Sequence, residues 1–305
     1  MRKEFSNTIE ELAIKDNKII FITGDLGYNA FENLQTKLGD RFINSGVAEQ
    51  SMIGIAAGLA KKGYKVFCYS IAPFIVYRCL EQTRNDVCFH NLPVFLVGNG
   101  GGYGYGIMGS SHHAISDLAS ISSLPNITSW IPDAANNVEF SIKSILSNLS
   151  PAYLRLGRAS YNFDHDYYDD SFNIYKNNSS KFTIIALGSL VEKVLDVFNN
   201  DKVLEDINVL SCIKLPLQLS DQSLIILKET EHLLIIEDHV DNGGISQQIS
   251  YFLHTSNLTI KNFVSLTAKG YPSDLYGDQE FHHKDSGIDE SSIKNAILKL
   301  LKYSF

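Results

Sequence analysis

The stretch GVAEQSMIGIAAGLA, residues 46–60, puts a carboxylate, Glu49, at the head of a segment that is apolar or glycine from Met52 to Ala60. The ordinary reason for an acid there is the helix macrodipole, which favours negative charge in the first turn. The apolar surroundings add a second reason. A partly desolvated carboxyl favours its neutral, proton-donating form and suits a ligand's ring nitrogen. Gly54 and Gly58 would let another helix or a ligand-bearing loop come close.

Three further stretches carry candidate chemistry. In GNGGGYGYGIMGSSHHAISD, residues 98–117, seven glycines fall between 98 and 109 and precede His112 and His113. Such a loop is either a flexible surface connection or an irregular path beside a ligand. It lacks GxxxxGK[ST], so a phosphate cradle is not indicated. Adjacent histidines do not put two rings on one metal from a single helix face, and no metal site is expected. One of the pair should be solvated and the other packed. In CYSIAPFIVYRCLEQ, residues 68–82, Tyr69, Phe74 and Tyr77 crowd the end of a strand and the start of a helix, where open α/β sheets bind ligands. Core packing should claim at least one of the three. In PAYLRLGRAS, residues 151–160, Arg155 and Arg158 are either surface arginines or an anion clamp.

Short runs rich in Val, Ile, Phe and Tyr position these residues. KIIFIT (18–23), KVFCYS (65–70), PVFLVG (93–98) and PAYLRL (151–156) read as buried strands. Helical patterns at 73–91 and 134–149 alternate with them, the pattern of a parallel sheet covered on both faces. The polar, aromatic stretch 161–180 breaks the alternation and reads as a linker. It resumes with strands at 182–188, 207–212, 232–238 and 260–266 and helices at 189–198, 243–254 and 287–303. The expected organisation is two α/β domains, 1–160 and 181–305, joined by 161–180.

The 305 residues suffice for two cores, and 44% of them are hydrophobic. With a net charge of −8 and no Lys/Arg cluster, nucleic acid is not an expected partner. The N-terminus MRKEFSNTIEEL lacks a signal-peptide apolar stretch, and no run is long enough to span a membrane. Cys68, Cys79, Cys88 and Cys212 lie in apolar segments without CxxC spacing. They read as reduced core thiols, and a cytoplasmic location is expected.

The four stretches, in this order, resemble the thiamine-diphosphate enzymes of the transketolase family. GVAEQ is similar to the family's G-[IV]-A-E-Q helix, YSIAPF to its aromatic segment, GSSHHAISD to G-x-T-H-x-x-x-x-[DE], and LRLGR to the arginine closing the domain. IIALGSLV and LLIIEDHVDNGGISQQI resemble its C-terminal pattern. The resemblance implies a pyrimidine-binding domain with a mainly parallel sheet and a smaller α/β C-terminal domain. It also implies roles. Glu49 would bond the pyrimidine N1′ of thiamine diphosphate and favour the tautomer that generates the ylid. Phe74 would stack on the pyrimidine, with Tyr69 and Tyr77 lining the pocket. His112 would hydrogen-bond donor oxygens, and Asp25 would lie near the cofactor. Arg158 and Arg2 would hold a sugar phosphate. The second domain's Glu237, Asp238 and His239 are expected to be structural, and His282 and His283 to lie on the surface.

The family's G-D-G…N motif for diphosphate and Mg²⁺ is absent. The resemblance therefore implies one half of a split transketolase, whose partner carries that motif and the Mg²⁺, with α2β2 as the natural closed assembly. Counting back from His112, Met108 stands where many relatives have an acceptor-binding aspartate, and Gly100 where they have a histidine near the sugar phosphate. A non-standard or nucleotide-linked sugar is the resulting expectation. The alternatives are a 2-oxoacid dehydrogenase β-like or deoxyxylulose-phosphate synthase-like subunit, and a non-catalytic relative.

Overall fold

The computed structural model describes residues 1–159, 167–168, 170–199 and 206–302. Its first sheet contains strands β1 (Ile19–Thr23), β2 (Phe42–Asn44), β3 (Lys65–Ile71), β4 (Val94–Asn99), β5 (Thr128–Trp130) and β6 (Ala152–Leu156). All pair in parallel, in the order β5-β6-β4-β3-β1-β2. Side chains of β1 alternate between two cores, as a pleated strand requires. Ile20 and Ile22 pack on the face covered by Met52, Ile53 and Ala56 of the Glu49–Lys61 helix. Ile19 and Phe21 pack on the opposite face with Phe5 and Ile9 of the Arg2–Lys15 helix. Each large aliphatic buried this way stabilises the fold by roughly 1.5–3 kcal/mol.

The second sheet contains β7 (Tyr167–Tyr168), β8 (Phe172–Lys176), β9 (Phe182–Leu187), β10 (Asn208–Cys212), β12 (His232–Glu237) and β13 (Asn262–Thr267); β11 (Lys214–Leu215) joins the first sheet instead. β13, β12, β9 and β10 run parallel, whereas β8 and β7 pair antiparallel.

Two features depart from the sequence reading. The expected linker 161–180 supplies β8, with Phe172 and Ile174 in the core and Asn173 and Tyr175 hydrogen-bonded to the buried carboxylate of Asp133. Residues 161–166 and 169 of that stretch lie outside the described residues. β11 pairs antiparallel with β5, so a segment beyond β10 extends the first sheet. One apolar core accordingly runs through both sheets, from Ile20 and Leu96 to Phe172, Leu210 and Ile235.

Buried charge joins the two sheets. Arg155 of β6 donates to Asp117 Oδ2 at 2.9 Å and to Asp238 Oδ1, just past β12, at 3.0 Å. The glycine-rich loop lies directly on this network. A Cβ on Gly102, whose φ is +59°, would sit 1.8 Å from Asp238 Oδ2. The glycines thus serve close packing rather than a loose surface loop. The four cysteines are buried free thiols. Among the described residues no helix is long and apolar enough to cross a membrane.

Candidate active site

Parallel strands place the segments following β1, β2, β3, β4 and β6 at one sheet edge. Four of these segments converge near Glu49. Its side chain is 3% exposed. Ser70, near the end of β3, donates from Oγ to Oε1 at 3.1 Å, and Arg78 Nη1 donates to Oε2 at 3.0 Å. Gly24, after β1, lies alongside: a Cβ there would be 3.6 Å from Glu49 Cγ and Oε1.

The next segment supplies an aromatic wall. Phe74 lies in the short Ala72–Tyr77 helix after β3, and Arg78 four residues later lies with its guanidinium carbon 4.0 Å from the Phe74 ring centroid. His112 meets Phe74 edge-on at 5.1 Å between centroids. Ser111 Oγ and His112 Nδ1 are 2.9 Å apart. Tyr105, 5.8 Å from His112, extends the line.

His113 has the other role expected of the pair. It is buried, with Nε2 2.7 Å from the Gly106 carbonyl and Nδ1 2.8 Å from the Tyr271 hydroxyl. A carbonyl only accepts, so Nε2 carries the proton and Nδ1 accepts from Tyr271. Burial lowers the His113 pKa to about 4.

The remaining candidates are not all in one place. Tyr69 is the core aromatic: it packs against Phe5 and Phe31, with its hydroxyl beside Arg2 and Tyr105. Tyr77 shares a 2.9 Å hydrogen bond with Ser116 Oγ and accepts from the Ser116 backbone, pinning the end of the glycine loop. Asp25, at φ +59°, follows Gly24 and exchanges hydrogen bonds of 3.0 Å with Asn44. Arg158 is exposed and lines a cavity of about 410 Å³ with Ser189, Lys193 and His283. Arg2 lines a separate hollow of about 280 Å³ with Ser6, Asn29 and Asn33. Arg155 is the buried structural arginine of the pair that the sequence left open.

One expectation is overturned. His282 and His283 are not on the surface but 0% and 1% exposed. The Gln279–Ser286 helix docks against the glycine loop, and the His282 ring stacks on Tyr103 at 5.1 Å. Glu237, Asp238 and His239 are buried and each is engaged within the fold. Glu237 accepts from the backbone N–H of Ile245 and Ser246 at the start of the Ile245–Thr255 helix, and His239 Nε2 accepts from Ala119 N. The sequence reading missed Ser70, Arg78, Asn99 and Tyr105. The spacing of Phe74 and Arg78, one helical turn, was the available signal for one of them. Among the described residues no cluster of His, Cys, Asp or Glu suits a metal.

Residues 1–164 match the family model described as transketolase, pyrimidine binding domain.

This chain belongs to the transketolase family.

Its similarity to split members of the family runs through both sheets. It is 29% identical over 270 residues to a subunit of the apulose-4-phosphate transketolase of Actinobacillus succinogenes, covering 86% of this chain and 85% of that one. A solved split-gene transketolase, an inactive beta4 tetramer, superposes with a TM-score of 0.83 at 25% identity, covering 99% of this chain and 97% of that one. The similarity to 1-deoxy-D-xylulose-5-phosphate synthase of Clostridium tetani is 28% over 98% of this chain but only 48% of the synthase. This transketolase-family chain therefore corresponds in extent to a separate subunit and to about half of the synthase.

Family membership implies thiamine diphosphate, and the residues fit its pyrimidine half. A carboxylate offers about four lone-pair sites, so the Ser70 and Arg78 donors leave Glu49 capacity for a ring nitrogen. Phe74 supplies an aromatic face beside it, covered by the Arg78 guanidinium.

Proposed function

We propose that this chain is the pyrimidine-binding subunit of a split transketolase, moving a two-carbon ketol unit from a ketose to an aldose. The observation that carries the reading is the convergence of Glu49, Phe74 and His112 at one sheet edge. When bound, thiamine diphosphate supplies the nucleophilic carbon and the electron sink for breaking a carbon–carbon bond beside a carbonyl. Glu49 holds a proton at the pyrimidine N1′ position. Phe74 would supply the aromatic ring beside the pyrimidine, with the half-exposed Arg78 bridging it to Glu49. His112 donates to or accepts from substrate oxygens, with Ser111 orienting its ring. Asp25 borders the cofactor pocket, and Arg158 and Arg2 are the candidates for sugar-phosphate contacts.

Near-full coverage of the separate subunits of split relatives supports a partner that binds the diphosphate and Mg²⁺. An α2β2 assembly is the closed arrangement this division of labour favours. Met108 and Gly100, in place of polar groups, support a sugar other than ordinary pentose phosphates, with nucleotide-linked sugars among the candidates. The rival, synthase-like reading requires decarboxylation of a 2-oxoacid. Assaying the assembled complex for ketose cleavage against pyruvate decarboxylation separates the two: aldose-dependent ketol transfer without pyruvate consumption is expected, and the converse would replace this reading with the synthase one.

A further inference from the structure

The acid at the head of the Glu49–Lys61 helix has two kinds of positive partner. The helix presents backbone N–H groups there, since Ala48 supplies no side-chain cap. Arg78 brings a full charge, with Nη1 3.0 Å from Oε2, and among the described residues it is the only cation paired with Glu49. Ser70 and Gly24, at the ends of β3 and β1, bring only neutral groups. The other titratable groups nearby are Cys79 and His112. Burial, and then the charge of Glu49, push the Cys79 thiol up to about 12. His112 meets the edge of the Phe74 ring. An arginine has no acceptor and keeps its proton, so Oε2 faces Arg78 as a bare oxygen.

We propose that Arg78 is a positioning residue that keeps Glu49 ionised and aimed until its ligand arrives, so that the proton the acid then shares with a ring nitrogen enters from solvent. A cation beside a carboxylate favours its charged form and opposes the effect of desolvation. The apolar stretch after Glu49 favours a neutral acid; the cation that reverses this lies 29 residues further on. A single ion pair to a half-exposed arginine would be weak and mobile. Here the same guanidinium also rests 4.0 Å from the Phe74 ring centroid. Carboxylate and ring together fix its plane, which a lysine ammonium could not copy.

The route of the proton rests on the transketolase reading; the charge on Glu49 does not. Two measurements keep them apart. In the purified chain, NMR of the carbon-13-labelled glutamate carboxyls reports the charge on Glu49, with its signal assigned by Glu49→Gln. Followed downward from pH 8, Arg78→Met should reach the protonated position at a higher pH than the unaltered chain. Arg78→Lys, which keeps the charge, should largely restore the unaltered behaviour. An unmoved signal in Arg78→Met, or a signal already at the protonated position in the unaltered chain, would overturn the proposal. In the partner-assembled complex, calorimetry of thiamine diphosphate binding in buffers of different ionisation enthalpy counts protons taken up. At the pH where the two signals differ most, Arg78→Met should take up fewer protons than the unaltered complex, and should change nothing further in a Glu49→Gln background. Equal uptake by the unaltered and Arg78→Met complexes would overturn the proposal. The expected NMR result in a complex that binds no thiamine diphosphate would uphold the hold of Arg78 on Glu49 and overturn the transketolase reading.

Discussion

Arg78 Nη1 lies 3.0 Å from Glu49 Oε2 while the same guanidinium covers the Phe74 ring at 4.0 Å. One half-exposed side chain thus links the buried carboxylate to the aromatic wall. With Ser70 on the other oxygen, Glu49 is held by donors from the end of β3 and from the helix that follows it. This is how a nearly buried acid persists at the head of an apolar helix.

Glu49→Gln keeps the shape and an acceptor for Ser70 but removes the acid. Activity of the assembled complex should fall roughly 10²–10⁴-fold, the range for acid–base assistance, with the melting temperature little changed. Steady-state rates and a thermal melt of the same sample check both halves of this expectation.

The Arg155 network should dominate stability. Arg155→Met leaves Asp117 and Asp238 buried without their cation, and breaking such a pair costs ~3–5 kcal/mol. Chemical denaturation of the purified chain reads this directly. Gly102→Ala should be similarly damaging, since its Cβ would overlap Asp238 Oδ2.

Acid should weaken the fold. Burial lowers His113 to about 4 and holds His239, His282 and His283 below the ordinary imidazole range. The unfolded chain therefore binds more protons below its own imidazole pKa of about 6.5, so their contribution is fully present above that pH. It is lost as pH falls toward about 4. Glu237, which burial raises to about 7, acts in the opposite direction. Denaturation midpoints from pH 7.5 to 5 should decline, and His113→Leu should decline less steeply.

The fold was largely legible because its strands are short apolar runs with helical patterns between them. β8 was not, because Asn173 and Tyr175 alternate with its core residues and owe their burial to the distant Asp133. β11 was not, because two residues carry no period. His282 and His283 read as surface in a polar segment; they are buried because the glycine loop, far earlier in the chain, receives them. At the site, Glu49, Phe74 and His112 were legible from their stretches. Ser70, Asn99 and Tyr105 depend on which strand ends and loops become neighbours, and a linear pattern does not encode that.

A chain that shares its active site with a diphosphate-binding partner should be inactive on its own. The direct measurement is ketose-dependent two-carbon transfer, with thiamine diphosphate and Mg²⁺, by the chain alone, by its co-purified partner alone, and by the complex. Turnover is expected of the complex only, and Glu49→Gln should lower it roughly 10²–10⁴-fold. Turnover by the chain alone, or full activity of the Glu49→Gln complex, would contradict this.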